Sequence, residues 1–129
     1  MDQKSLALFN LLGFLGVILW VWVIFLRETP IVHHPSANIW LGIASNFGVA
    51  LLPPMLLANY YPVVFKRGLT RQSFLNGLAV IFTALLLSEV VHDIFLNSRF
   101  DIWDLAASLV ALVIMALVAS KTRLFELGA

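Results

Sequence analysis

Glu89, His92 and Asp93 stand three and four residues apart. On a helix this spacing brings the three side chains to one face. Asp101, Asp104 and Ser108 repeat the spacing a few residues later, and Arg99 lies between the two sets. A carboxylate beside an imidazole is the equipment of general acid–base chemistry. An arginine fork suits a phosphate or carboxylate partner, which it can grip through two parallel hydrogen bonds. Glu89, His92, Arg99, Asp101 and Asp104 are therefore the expected catalytic or charge-stabilising groups, with Asp93, Ser108 and again Arg99 as ligand-holding ones. Each also has a plainer role. Glu89 could pair with Arg99, Asp101 could cap a helix with Asp104 complementing its dipole, and His92 could be structural. A metal is not expected. His33 and His34 are adjacent in a loop, the pattern H-E-x-x-H is absent, and there is no cysteine. With no P-loop, no G-x-G-x-x-G and no G-x-S-x-G, no cofactor is expected either.

The elements that must hold these groups are set by composition. Of 129 residues, 61% are hydrophobic and only 12% charged. A soluble domain carries about 25% charged residues, and one of this size leaves too much surface exposed to hide so many apolar groups. The mean hydropathy is +0.97. The expected architecture is all-α and integral to the membrane, a four-transmembrane-helix bundle forming one domain over 1–129. A net charge of +1 and the lack of a basic run exclude a nucleic-acid surface.

The expected helices are 5–26, 38–65, 72–96 and 102–120. The first has about the length of a span rather than of a signal-peptide core, and Arg27-Glu28 follows it in place of a cleavage site, so it is read as retained. Trp20 and Trp22 at one end, Tyr60 and Tyr61 at the other, and Trp103 at the start of the fourth helix are expected at interfaces. In the second helix Pro53-Pro54 removes two backbone donors, which predicts a kink or break. Were that helix unbroken, Asn38, Ser45 and Asn59 would lie on one stripe. Gly13, Gly16, Gly42 and Gly48 suit close helix packing.

Lys4, Lys66, Arg67, Arg71, Lys121 and Arg123 fall on one side of such a bundle, and only Arg27 and Arg99 on the other. The positive-inside rule then places both termini in the cytoplasm. The acids sort the other way: Glu28, Glu89, Asp93, Asp101 and Asp104 belong to the outer half, Asp2 and Glu126 to the inner. Glu89 falls within the third span, where an ionisable group is costly and marks a functional site by default.

The stretch S-E-V-V-H-D-I-F-L-N-S-R-F-D-I-W-D-L-A-A-S-L-V-A-L, residues 88–112, resembles the VanZ-like membrane proteins. Glu89 matches the family's acid, Arg99 its arginine, and Asp101 and Asp104 its two aspartates. The segment S-N-F-G-V-A-L-L-P-P-M-L-L-A-N, residues 45–59, is similar to the family's N-x-x-x-F-x-P-x-G helix, with Asn46 as its asparagine. The resemblance covers about residues 38–120. It departs at His92, where the family has Gln, at Ser108, where it has Asn, and at Ala111, where it has Gly. The family's D-K-x-x-H motif is absent, and the R-F-D-I-W-D stretch is one residue tighter. The resemblance implies a protein of the bacterial inner membrane and cell envelope, in a family associated with teicoplanin resistance and grouped with membrane proteins suspected of acting on lipid head groups. Asn46 then joins Arg99 among the residues that would hold a head group. A membrane lipid or lipid-linked precursor is the expected partner, alongside a second copy or another membrane protein. Two other functions fit the same residues: a non-catalytic subunit or scaffold, and a small transporter component.

Overall fold

A computed structural model describes residues 2–97, 99–122 and 124–125. They form four α-helices and one short 3-10 turn, with no strand among the described residues: α1 Gln3–Arg27, α2 Pro35–Phe65, α3 Arg71–Phe95 and α4 Ile102–Lys121, the 3-10 turn being Pro30–His33. All four helices are long and apolar enough to cross a membrane. At 1.5 Å per residue, α4 with 20 residues spans about 30 Å, the thickness of a hydrocarbon core. The molecule wears its apolar groups outside. Phe14, Ile18, Phe25, Ile39, Val80, Leu87 and Val113 are all exposed, the exterior expected of a multi-pass membrane protein.

The helix ends follow from their residues. Asp2 caps α1, accepting hydrogen bonds from the Lys4 N–H (3.3 Å) and the Ser5 hydroxyl (3.0 Å). Thr70 caps α3 through the Ser73 N–H (3.1 Å), and Asp101 caps α4 through the Trp103 N–H (2.9 Å). The α2 helix stops at Lys66, which adopts the left-handed conformation with φ 52°.

The helices alternate in direction, as their contacts show. The Ser5 side chain at the start of α1 meets the Thr122 carbonyl just past α4. Asn10 and Asn59 exchange amide hydrogen bonds between α1 and the far end of α2. Gly16 and Gly48 meet near mid-span, where a Cβ on Gly48 would stand 2.6 Å from the Gly16 carbonyl oxygen. Gly13 is likewise covered by Met55, so the expected use of these glycines for close packing holds between α1 and α2. The α2 helix is central. It packs most extensively on α1, then on α4, while α3 leans on α4 and α2 with little buried surface.

The chain stays helical through Pro53-Pro54 and again through Pro62. The expected break therefore does not occur. Each proline removes one i→i−4 bond, but neighbouring helices supply the packing that keeps the backbone in place; Pro54 is fully buried and Ala50, the residue whose carbonyl it leaves unbonded, is too.

The tight core lies toward one end of the bundle. Phe9, Met55, Phe74, Met115 and Leu124 interlock there, with Phe9 and Phe74 edge to face at 5.6 Å. Lys4, Lys66, Arg67, Arg71 and Lys121 cluster at that same end by the alternation of the helices. Arg123 and Glu126 lie outside the described residues. The Arg67 guanidinium sits 5.7 Å from the Tyr61 ring and 5.6 Å from that of Phe65; Tyr61 is buried against the protein and Tyr60 is exposed. At the opposite end Trp20, Trp22, Trp40 and Trp103 are all exposed, and there the packing opens.

Candidate functional site

The opening is a cavity of about 180 Å³ between α2, α3 and α4. Asn46 and Val49 line it from α2. Leu85, Ser88, Glu89 and His92 line it from α3, and Asp104, Leu105 and Ser108 from α4. Val49, Leu85 and Leu105 make its wall apolar, and the remaining six residues bring polar groups to it. Ser88 and His92 are exposed at its rim, Asn46, Glu89 and Asp104 are half-buried, and Ser108 is buried at its floor.

Local structure explains why these side chains converge. At about 100° per residue, Leu85, Ser88, Glu89 and His92 fall within about 100° of one another on α3. Asp104 and Ser108 are one turn apart on α4, and the Ser108 hydroxyl donates to the Asp104 backbone carbonyl (3.1 Å). Asp104 occupies the first turn of α4, where a carboxylate complements the helix dipole. It faces α2 at Gly42, where a Cβ would lie 3.2 Å from Asp104 Oδ1. Gly42 thus leaves the room the carboxylate occupies. One turn on, the Asn46 side-chain amide donates to the Gly42 carbonyl (3.0 Å).

Five of the eight residues expected at the site therefore share one cavity: Asn46, Glu89, His92, Asp104 and Ser108. Asp93, Arg99 and Asp101 are not among its lining. Asp93 is exposed near the end of α3, turned away from the stripe. Arg99 is exposed in the turn between α3 and α4. Asp101 is exposed and spends its carboxylate on the α4 cap. His33 and His34 are exposed around the 3-10 turn, away from the cavity. Among the described residues no group of three His, Asp or Glu has the arrangement of a metal site.

Comparison with family models, with curated proteins and with solved structures gives no match.

Three contributors were not anticipated from sequence. Ser88 joins the rim because it precedes His92 by one turn, the same spacing argument that selected its neighbours. Gly42 matters through the side chain it lacks, and its position one turn before Asn46 was the available signal. Arg27, at the end of α1, is the cation whose charge reaches Asp104, opposing those of Asp101 and Glu89. Nothing in the linear spacing links residue 27 to residue 104; only the packing of the helices does.

Chemically, the cavity offers two carboxylates and an imidazole beside hydroxyl and amide groups, with no lysine or arginine among the described residues of its lining. It can accept hydrogen bonds, exchange protons through His92, and seat a small polar group against a short apolar wall.

Proposed function

We propose that this is a multi-pass protein of the bacterial inner membrane that binds, and has the groups to process, the polar head of a membrane lipid or lipid-linked envelope precursor. Both termini face the cytoplasm in this reading, and the cavity opens toward the outer leaflet. The observation that carries it is the cavity itself. Six polar side chains from three helices, two of them carboxylates, converge at the end of the bundle opposite the basic residues, within helices otherwise almost free of charge. Ionisable groups at membrane depth are retained where they face a wet cavity or a polar ligand. The similarity of residues 88–112 to VanZ-like proteins supports the same reading through Glu89 and Asp104, and that of 45–59 through Asn46. Its arginine, Arg99, lies outside the cavity, so Glu89, His92 and Asp104 are the groups proposed to act on the head group, with Asn46 and Ser108 holding it.

The test is lipid mass spectrometry on the full-length protein purified in mild detergent. The expected result is one head-group class enriched over the bulk membrane extract, with that enrichment lost when the cavity is filled by Asn46→Leu or Ser108→Leu. Retained lipid of bulk composition, unchanged in both variants, would overturn the proposal.

A further inference from the structure

The hydrogen-bonding polarity of the cavity narrows the class of head group, and this inference rests on the reading just given. Asn46 and Ser108 are each able to donate as well as accept. The Ser108 hydroxyl commits its one donor to the Asp104 carbonyl at 3.1 Å, and Asn46 commits one of its two amide N–H groups to the Gly42 carbonyl at 3.0 Å. Ser108 then has only its oxygen left for a ligand, and Asn46 has its carbonyl oxygen beside one remaining N–H. Glu89 and Asp104, when ionised, are acceptors only. Among the described residues no lysine or arginine lines the cavity. Four groups on three helices, Asn46, Glu89, Asp104 and Ser108, thus present acceptors to the same small space.

Such a space selects a cation rich in N–H donors. An anionic group would meet two carboxylates, with the His92 imidazole at the exposed rim as the one cationisable group among the described lining residues. Arg27 acts on Asp104 from outside the cavity. At about 180 Å³ the cavity is near the size of an engineered 150 Å³ cavity that admits benzene, so it takes a group of a few heavy atoms rather than a sugar chain. A primary ammonium on a short carbon arm fits both limits. A quaternary ammonium has the charge but no N–H to donate.

We infer that the cavity bounded by Asn46, Glu89, Asp104 and Ser108 receives the primary ammonium of an amine-bearing phospholipid head group. The phosphate of that head group stays outside the cavity.

The inference is tested by native mass spectrometry of the full-length protein in detergent. It is offered phosphatidylethanolamine, phosphatidylcholine and phosphatidylglycerol of identical acyl chains at equal concentration. Phosphatidylethanolamine should exceed phosphatidylcholine in occupancy by about tenfold, the scale set by losing one charge-assisted hydrogen bond. Glu89→Gln and Asp104→Asn should each bring that ratio toward one. Asn10→Ala, at the far end of the bundle, should leave it unchanged. The comparison within the wild-type protein does not depend on how the variants fold, and helical content by circular dichroism checks those that are made. Preference for phosphatidylglycerol or phosphatidylcholine would overturn the ammonium assignment while leaving a head-group site standing. Equal retention of all three lipids would overturn both. Displacement of phosphatidylethanolamine by an equal concentration of ethylammonium chloride would move the source of the amine from the lipid to solution and overturn the lipid assignment.

Discussion

Gly16 and Gly48 cross backbone to backbone, the carbonyl of each lying where a Cβ on the other would stand. A side chain at either position must push α1 and α2 apart, because the obstructing atom is main chain and cannot rotate away. Gly48→Ala should cost about 1–3 kcal/mol, the usual penalty of overpacking. Unfolding in mixed micelles, followed by the fluorescence of nearby Trp20, measures it. Gly42→Ala meets only the end of a side chain at 3.2 Å and should cost clearly less. Equal losses at both positions would contradict this account of the crossing.

The Asn10–Asn59 pair predicts an asymmetry. Asn59 donates to Asn10 at 2.6 Å and to the Met55 carbonyl at 2.8 Å, whereas the return bond from Asn10 is long at 3.5 Å. Removing Asn10 leaves Asn59 with its Met55 bond. Removing Asn59 takes away Asn10's partner. Interhelical hydrogen bonds in membranes average about 0.6 kcal/mol and reach about 1.7. Asn59→Ala should fall in that range and exceed Asn10→Ala. A double-mutant cycle returning no coupling would show that the pair contributes nothing.

Lys66 holds a left-handed backbone conformation at the end of α2. For an L-residue with a side chain this costs about 1–2 kcal/mol, and glycine escapes it while losing somewhat more chain entropy. Lys66→Gly should therefore raise thermal stability by about 0.5–1 kcal/mol, and Lys66→Val should lower it. Calorimetry of the two variants in the same detergent decides the sign.

Asp2 supplies the pH prediction. The hydroxyl of Ser5, and after it the N–H of Lys4, hold the Asp2 carboxyl below the ordinary carboxylate range. A carboxyl depressed in the folded state contributes stability above its unfolded value of about 3.9. That contribution disappears as pH falls through the lower folded value. The stability difference between the wild type and Asp2→Asn should thus be present at neutral pH and vanish in strong acid. A difference that grows on acidification would reverse the assignment.

Orientation can be read chemically because the chain has no cysteine. A membrane-impermeant maleimide applied to intact cells should label His33→Cys and Arg99→Cys, and should label Arg67→Cys only after permeabilisation. The opposite pattern would place the cavity toward the cytoplasm.

Helix number and extent are legible in this sequence because a bilayer demands long uninterrupted apolar runs, and each observed helix starts and stops within about three residues of the expected limits. The site is legible only where helical periodicity carries it. Glu89 and His92 lie within about 60° of one another on α3 and reach one cavity. Asp93 is rotated about 80° from Leu85 and misses it, although its spacing of four from Glu89 looked equally good. Arg99 stands in a turn, where periodicity says nothing about direction. The expectation of a break at the prolines failed for a related reason. Their local cost is visible in the sequence, whereas the packing of α1 and α4 that keeps α2 helical is a property of the assembled bundle.

The central place of α2 also has a consequence for biosynthesis. Chains emerge from the ribosome N-terminus first, and the crossing of Gly16 with Gly48 needs only the first two helices. That hairpin can lock before the second half of the chain has been made. The cavity cannot, since its floor is Ser108 and one of its carboxylates is Asp104, both on the last helix to be made. Truncation before residue 101 would therefore leave a hairpin able to persist as a stable remnant, while the polar pocket has to wait for the last helix of the chain.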